Sequence, residues 1–303
     1  MTNKGTPRVP FFFIITLLKS WSSGKFILKM KKDYILHLSL LGFFFLFCSG
    51  LSDSADKTTL FIIGDSTVKN GSGTGENGLW GWGDFMAEYF DSTLIVVRNF
   101  ARGGRSSRTF QSEGLWENVL KQLKPGDFVL IQFGHNDGGS LNTGRARGTL
   151  QGCGDETQEV VMEAANDTVI IHTYGWYIKK YISDIQEKGA TAIILSPIPR
   201  NMWTDNASLP DGQEKVKRAN EDYGKWAKEA AIEKGACFVD LNSIIADKYD
   251  DIGPEKVNSE FFLKDHTHTT KEGAILNAES VVEGIEMLKD CKLKNFIIHT
   301  EIE

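Results

Sequence analysis

Five short runs of apolar, mostly β-branched or aromatic residues recur along the chain, and helical patterns separate them. The runs cover residues 58–63, 94–97, 128–133, 192–196 and 237–241, and the helical patterns cover 82–90, 115–123, 174–188, 214–234 and 271–288. Continuous apolar strands that alternate with helices are typical of a parallel sheet covered on both faces. The sequence therefore predicts one α/β domain over residues 57–290, a three-layer α/β/α sandwich with a five-stranded parallel sheet.

Polar residues or glycines follow the first three strands, and polar residues also precede the last helix. Ser66 comes after the first strand, Gly104 after the second and Asn136 after the third, and Asp265 and His268 lie in the loop before the last helix. In open parallel sheets, ligands bind beyond the carboxyl ends of the strands. We therefore expect these residues to form the active site.

These residue types supply the parts of acyl-transfer chemistry. A serine hydroxyl becomes a good nucleophile when an imidazole removes its proton, and His268 can do so for Ser66. Asp265, three residues earlier, can hold the imidazole tautomer and stabilise its charged form. The backbone N–H groups of Ser66 and Gly104 and the amide of Asn136 are candidate donors to the oxyanion, and one such donor is worth roughly 3–4 kcal/mol. Glycine at 104 permits close approach of the backbone to a substrate.

Each signal also has a plainer interpretation. Gly-Asp-Ser after a strand is usually an ordinary turn, and Asn136-Asp137-Gly138 is a turn signal. Asp265, His266 and His268 can be read as a metal site, but a third ligand with suitable spacing is missing from the sequence. What favours the catalytic interpretation is the order of the four signals along the chain, so we expect no metal and no cofactor.

The quoted motifs resemble the four sequence blocks of the SGNH (GDSL-type) hydrolase superfamily. These motifs are Gly64-Asp65-Ser66-Thr67, Gly104-Arg105-Ser106, Gly134-His135-Asn136-Asp137 and Asp265-His266-Thr267-His268. Within the superfamily, the chain resembles the rhamnogalacturonan acetylesterases of carbohydrate esterase family 12. The residues that carry this narrower resemblance are Thr67 and the segments 99–106, 174–177 and 196–201.

The resemblance implies a flavodoxin-like sheet with strand order 2-1-3-4-5 and no metal. It also implies that Ser66 is the nucleophile, His268 the base and Asp265 its orienting acid, with Ser66, Gly104 and Asn136 forming the oxyanion hole. The implied activity is that of an exported serine esterase that removes O-acetyl groups from pectic rhamnogalacturonan. The chain contains no Gly-x-Ser-x-Gly motif, which argues against the nucleophile elbow of α/β-hydrolases.

Three alternatives stay open at this point. Xylan or another acetylated sugar polymer is a different substrate for the same motifs. A GDSL-type lipase or thioesterase predicts an apolar acyl pocket, whereas the long glycine-rich segment 138–165 is mostly polar. This segment is interpreted either as a lid or binding loop or as a plain surface loop. A non-catalytic carbohydrate-binding protein has no need of a nucleophile and base, so the presence of Ser66 and His268 argues against it.

Basic residues in the strand-end loops are candidates for substrate binding, because rhamnogalacturonan is anionic and arginine pairs with carboxylates in a bidentate manner. The predicted contacts are Arg105, His135, Arg200 and Arg145, and Arg102 and Arg147 lie in the same loops. Trp80, Trp82 and Trp203 are candidates for stacking on sugar rings. For Trp82, packing in the core is the favoured alternative.

The charge is unevenly distributed along the chain. The 303 residues carry 34 basic and 40 acidic side chains, a net charge of −6. Residues 1–29 hold five basic and no acidic side chains, so residues 30–303 carry 29 against 40, or −11. A nucleic-acid partner is therefore excluded, because no basic surplus exists to neutralise phosphates.

The first 55 residues are typical of a targeting segment. Two lysines after Met30, an apolar run from 35 to 48 and small residues up to 55 predict a signal peptide over residues 30–55. We expect residues 1–29 to be an extension upstream of the true start, and residues 291–303 to be a C-terminal tail. A stable membrane span is not expected, because the run is shorter than about 20 residues. A single membrane anchor and a lipid on Cys48 are the alternatives.

Overall fold

The computed structural model describes residues 57–69, 75–204 and 214–299. The strands are β1 (Thr58–Gly64), β2 (Ile95–Asn99), β3 (Phe128–Gln132), β4 (Thr157–Val161), β5 (Thr168–His172), β6 (Thr191–Leu195) and β7 (Cys237–Val239). The α-helices are α1 (Ser107–Ser112), α2 (Leu115–Leu120), α3 (Tyr174–Glu187), α4 (Tyr223–Lys234), α5 (Leu241–Ile252), α6 (Pro254–Phe261) and α7 (Lys271–Glu286).

The main sheet contains five strands in the order β2-β1-β3-β6-β7, and every neighbouring pair is parallel. Counted along this sheet alone, the order is 2-1-3-4-5, so the predicted fold class and strand order are confirmed. The chain moves outward from β1 in one direction to β2 and in the other direction from β3. The topological switch point therefore lies between β1 and β3. Open α/β sheets bind their ligands at such a point.

Alternation along the central strands divides the interior into two cores, one on each face of the sheet. In β1, Leu60 and Ile62 point into the first core, while Phe61 and Ile63 point into the second. Helices α5 and α7 contribute to the first core, and helices α2, α3 and α4 contribute to the second. Because both faces are buried, the strands are apolar at consecutive positions, which is the pattern that identified them in the sequence.

The structure differs from the predicted elements in several places, and helices α1, α5 and α6 were not predicted. Residues 82–90 form two short 3₁₀ turns instead of an α-helix, since the backbone at Gly81 and Gly83 packs directly against Val68. The predicted helix 214–234 begins only at Tyr223. Segment 138–165 is not wholly irregular, because β4 pairs with β5 as an antiparallel hairpin.

The expectations about the chain ends fall partly outside the described residues. The predicted extension 1–29 and signal peptide 30–55 lie outside them, whereas residues 291–297, assigned to a tail, pack on the first core through Cys291, Leu293 and Ile297. Within the residues that the structure describes, no helix is long and apolar enough to cross a membrane.

Candidate active site

Ser66, His268 and Asp265 form a continuous hydrogen-bonded chain at the carboxyl edge of the sheet. The Ser66 Oγ atom lies 2.8 Å from Nε2 of His268, and Nδ1 of His268 lies 2.8 Å from Oδ2 of Asp265. The three residues come from two segments about 200 positions apart, joined at the end of β1. The geometry matches a nucleophile, a base and the acid that orients the base.

The Asp265 carboxylate is held in its ionised form by its own loop. Partial burial works against the charge, but the His268 ring and the backbone N–H groups of His268 and Thr267 donate hydrogen bonds to it. The result is a pKa of about 2. An ionised carboxylate at Nδ1 fixes the imidazole tautomer that leaves Nε2 free to accept the serine proton.

Hydrogen bonds fix the two loops that carry Ser66 and His268. After β1 the chain turns sharply, and the Asp65 carbonyl accepts hydrogen bonds from the N–H groups of Val68 and Lys69. The His268 loop is tied to Trp80, since the Trp80 N–H donates to the Thr269 carbonyl and the Thr269 hydroxyl donates to the Trp80 carbonyl. The Ser66–His268 contact therefore joins two segments that are each anchored independently.

The two other candidate oxyanion donors lie on the neighbouring loops. Gly104 has φ +75° in the turn that the Arg105 N–H closes onto the Arg102 carbonyl, a conformation that favours glycine. The side-chain amide of Asn136 donates to the Arg105 carbonyl at 2.9 Å. An amide nitrogen carries two N–H groups, so this contact orients Asn136 and leaves a second donor for a ligand.

A buried polar network lies directly behind Ser66. The Asp65 side chain is inaccessible, and its Oδ1 accepts hydrogen bonds from the backbone N–H and hydroxyl of Thr67. His135 donates from Nε2 to the Ile198 carbonyl at 3.1 Å, and its Nδ1 faces Oδ2 of Asp65 at 3.6 Å. Burial alone would raise the pKa of Asp65, but the His135 imidazole and Thr67 outweigh it and lower this pKa.

Asp137 is a second buried carboxyl in the same region. Its Oδ1 accepts hydrogen bonds from the backbone N–H and hydroxyl of Ser107, at the start of α1. Burial raises the pKa of Asp137 to about 7, the charge of Asp65 adds to the increase, and the Ser107 contacts oppose it. Among the described residues, Oδ2 of Asp137 has no hydrogen-bond partner. Asp137 thus joins the Asn136 loop to the segment that follows Gly104.

The predicted substrate-binding residues have different environments. Arg145 is exposed, and a Cβ atom on Gly104 would lie 3.2 Å from its Nη1 atom. Arg200 is partly exposed and donates to the His135 carbonyl and to Nε2 of His266. Arg105 is engaged by an ion pair at 2.8 Å with Glu113, at the C-terminal end of α1. The side chain of His135 is turned into the interior, so only its backbone faces the edge of the sheet.

A cavity of about 570 Å³ adjoins Asn136 and carries an excess of positive charge. The charged side chains in its lining are Arg147, Arg200, Lys217, Arg218 and Asp222. Arg218 is paired with Asp247 and Asp250. Arg147 also donates to the Gly104 carbonyl at 3.2 Å, so it links this cavity to the candidate oxyanion hole. Lys217 was missed because residues 214–222 were predicted to belong to a helix, whereas α4 begins only at Tyr223.

The three tryptophans considered for sugar stacking lie in or against the first core. Trp82 is fully buried, and its indole N–H donates to Gln132 at 2.9 Å. Trp80 packs against Phe85, and the indole of Trp203 donates to Asn201 at 2.7 Å. The favoured core assignment of Trp82 is therefore confirmed.

Known sequences are similar to this chain over most of its length. The sequence model of the GDSL-like lipase/acylhydrolase family matches residues 62–274, a range that runs from β1 into α7. A rhamnogalacturonan acetylesterase of Emericella nidulans is 34% identical over 78% of this chain and 87% of its own length. The rhamnogalacturonan acetylesterase RhgT of Bacillus subtilis is 27% identical over 80% of this chain and 95% of its own length.

Solved structures with the same fold include two bacterial proteins. Protein YxiM from Bacillus subtilis superposes with a TM-score of 0.58 at 26% identity, over 76% of this chain and 56% of that chain. Axe2, an acetylxylan esterase from Geobacillus stearothermophilus, has a TM-score of 0.50 at 18% identity, over 75% of this chain and 93% of its own. At that identity the second match bears on the fold alone.

Proposed function

The chain belongs to the GDSL-like lipase/acylhydrolase family, and we propose that it is an exported serine esterase that removes O-acetyl groups from pectic rhamnogalacturonan. It is a carboxylic ester hydrolase that resembles the rhamnogalacturonan acetylesterases. The observation that carries the mechanism is the hydrogen-bonded chain of Ser66, His268 and Asp265. The proposal adds two further statements: the substrate is pectic, and the protein is exported.

In the first half of the reaction, Nε2 of His268 removes the proton from Ser66 Oγ, and Oγ attacks the acetyl carbonyl carbon. Asp265 stabilises the imidazolium that forms. The tetrahedral intermediate then collapses: the bond between the carbonyl carbon and the sugar oxygen breaks, and His268 gives its proton to the sugar oxygen. The deacetylated sugar leaves, and the acetyl group stays on Ser66.

In the second half, a water molecule gives a proton to Nε2 of His268 and attacks the acetyl-serine. The bond to Oγ of Ser66 breaks, the proton returns to Oγ, and acetate leaves. In both halves the negative oxygen faces the N–H groups of Ser66 and Gly104 and the amide of Asn136. Removing one such donor costs about 3–4 kcal/mol of transition-state stabilisation.

The pectic substrate is supported by the cavity next to Asn136. A polymer that contains galacturonic acid carries regularly spaced carboxylates, and planar guanidinium groups bind carboxylates in a bidentate manner. Arg147 and Arg200 lie in this lining, within the loops that also position Gly104 and His135. The net negative charge of the chain does not oppose such a substrate, because the charge lining the cavity is basic.

Acetate release tests this proposal. The substrates are acetylated rhamnogalacturonan, acetylated xylan and p-nitrophenyl acetate, and the variants are Ser66→Ala and the control Ser259→Ala, whose exposed hydroxyl donates only to the Lys256 carbonyl. We expect release from rhamnogalacturonan to fall by at least about 10⁴-fold in Ser66→Ala and to stay unchanged in the control. Unchanged release by Ser66→Ala refutes the mechanism, and release from xylan without release from rhamnogalacturonan refutes the substrate.

Export has its own test, because it concerns residues outside the described part of the chain. The charged start, apolar run and small residues of 30–55 are the support for it. We expect N-terminal sequencing of protein recovered outside the cytoplasm to begin within residues 49–56. An intact N-terminus that retains the apolar run contradicts a cleaved signal and favours the membrane anchor.

A further inference from the structure

A second cavity, of about 470 Å³, lies between α1, the hairpin strand β5 and the start of α3. Its walls are mostly apolar: Ala146, Met162, Val169, Ile170 and Trp176 line it. Ile170 is 57% exposed, an unusual exposure for an isoleucine in a strand. Within the described residues, the lining of this cavity contains none of Ser66, His268 and Asp265. It also contains none of the basic side chains of the first cavity.

Two polar groups in this lining have unused hydrogen-bonding atoms. Arg108 is only 7% exposed, and its Nη2 atom donates to the carbonyls of Leu141 and Ala146. Its Nε atom has no hydrogen-bond partner among the described residues, and the same holds for Nδ1 of His172. Buried polar atoms in native proteins are normally paired. Both atoms are closed to solvent, so the polar groups that a ligand in the cavity meets are the side chains of Thr109, Gln111 and Ser112, which also line it.

An aromatic pair adds to the apolar wall. The His172 ring stacks on Trp176 with 3.7 Å between ring centroids and 10° between planes. Burial lowers the pKa of His172, so the ring is neutral near pH 7. The pair therefore presents flat apolar surface to the cavity. Flat apolar surface of this kind suits the C–H face of a sugar ring.

The second cavity and the candidate oxyanion hole lie on either side of the same loop. Ala146 lines the cavity, whereas its neighbours Arg145 and Arg147 lie beside Gly104. Arg108 holds this loop through the Ala146 carbonyl, and α1, which carries Arg108, begins directly after the Gly104 turn. The second cavity therefore borders the same loop as the candidate oxyanion hole.

We propose that the second cavity binds the rhamnose residues of the polymer and that the basic cavity binds its galacturonate residues. This inference rests on the proposed function. Rhamnose is a neutral 6-deoxyhexose, so its methyl group and C–H face contact Ile170, Met162 and Trp176 while its hydroxyl groups contact Gln111 and Ser112. The two cavities then match the two kinds of sugar in rhamnogalacturonan.

The kinetic test compares Ile170→Ser with Val161→Ser. Both residues are exposed aliphatic side chains on the same hairpin, 57% and 53% exposed, but Val161 is not part of the cavity lining. On acetylated rhamnogalacturonan we expect Ile170→Ser to raise KM about 10-fold with kcat unchanged, because an apolar contact is lost from a binding pocket. On p-nitrophenyl acetate both variants should match the wild type. Equal KM values for the two variants on the polymer overturn the inference.

A binding measurement separates this inference from the proposed function. Ser66→Ala, alone and combined with either hairpin variant, is titrated calorimetrically with deacetylated rhamnogalacturonan oligosaccharides, oligogalacturonides and xylo-oligosaccharides. We expect Ile170→Ser to weaken only the binding of rhamnogalacturonan oligosaccharides. An equal loss with oligogalacturonides, or no loss at all, overturns the rhamnose assignment. Failure of the wild type to release acetate from the polymer instead refutes the proposed function, and the titration still decides what the cavity binds.

Discussion

Two aspartate–histidine pairs flank Ser66, and they differ in almost every physical respect. The Asp265–His268 pair has side chains 41% and 30% exposed and a direct hydrogen bond of 2.8 Å. The Asp65–His135 pair is 0% and 5% exposed, and its two closest atoms lie 3.6 Å apart. The first pair lies at the surface in contact with the serine hydroxyl, and the second lies in the interior behind the same turn.

The difference separates the pair that we propose to take part in the reaction from a pair that supports the turn. Nε2 of His268 reaches Ser66 Oγ, where a proton has to move during acyl transfer. Nε2 of His135 instead donates to the Ile198 carbonyl and faces no reacting atom. Asp65 and His135 thus join the turn after β1 to the loop after β3, so their contact fixes the distance between Ser66 and Asn136. Proximity of aspartate to histidine alone does not identify a catalytic pair.

Among the changes that test this comparison, loss of the Asp265 carboxylate should have the largest effect on kcat. In Asp265→Asn, the amide can donate to Nδ1 of His268 and stabilise the tautomer with its proton on Nε2, which cannot accept from Ser66. We expect kcat on p-nitrophenyl acetate to fall about 10⁴-fold with thermal stability nearly unchanged. Stopped assays with purified protein and a thermal melt measure both quantities. A fall of less than tenfold would mean that Asp265 does not orient the base.

The interior pair should respond in the opposite way. Asp65→Asn keeps the oxygen that accepts from Thr67 but changes the buried group that faces His135. Leaving a buried polar group without its partner costs roughly 1–3 kcal/mol of unfolding free energy. The fall in kcat should be far smaller than in Asp265→Asn. Urea unfolding of Asp65→Asn, His135→Gln and the double variant gives the coupling energy. A coupling energy near zero would contradict the paired role.

The fold and the placement of the candidate site residues could be predicted because local sequence determines them. Consecutive apolar residues mark strands that are buried on both faces, and the residues after such strands must lie at one edge of a parallel sheet. Ser66, Gly104 and Asn136 follow from this rule, and the structure also brings His268 into contact with Ser66. The hairpin β4–β5 was missed because β4 is largely exposed on both faces, so polar residues such as Gln158 and Glu159 interrupt any apolar run.

The surroundings of the site could not be predicted, because they depend on contacts between distant segments. The sequence does not reveal that Glu113 pairs with Arg105 or that the side chain of His135 is buried beside Asp65. The start of α4 was misplaced for the same reason. Residues before Tyr223 are held in non-helical conformations by tertiary contacts, among them the Arg218 ion pair with Asp250 and the bridge between Val216 and Trp203.

Asp137 should make the interior side of Ser66 sensitive to pH. Its pKa is about 7 in the folded protein, against about 3.9 in an unfolded chain. Between these values the folded state binds a proton that the unfolded state has lost, so stability falls as pH rises through this window. The full cost above pH 7 is up to about 4 kcal/mol. Asp137→Asn should abolish this loss.

Urea unfolding at pH 4.5 and pH 7.5 measures the effect. Asn at 137 can still accept from Ser107, so the two proteins should be nearly equally stable at the lower pH, and the variant should be more stable at the higher pH. Because the charge of Asp65 contributes to the raised pKa, Asp65→Asn should reduce the pH dependence. An identical pH dependence for the wild type and Asp137→Asn would show that this carboxyl does not titrate in the window.

The smallest effect should come from the exposed rim of the basic cavity. Lys217 is exposed and lines this cavity, so Lys217→Gln removes one screened positive charge without disturbing the core. We expect KM for acetylated rhamnogalacturonan to rise about two- to fivefold at low salt, and the difference should disappear near 1 M salt, where the Debye length is about 3 Å. Lys121→Gln is the matched control, since Lys121 is exposed and lines neither cavity. An equal rise in KM for both variants would indicate a diffuse effect of net charge, whereas a rise confined to Lys217→Gln identifies a local electrostatic contact with the anionic polymer.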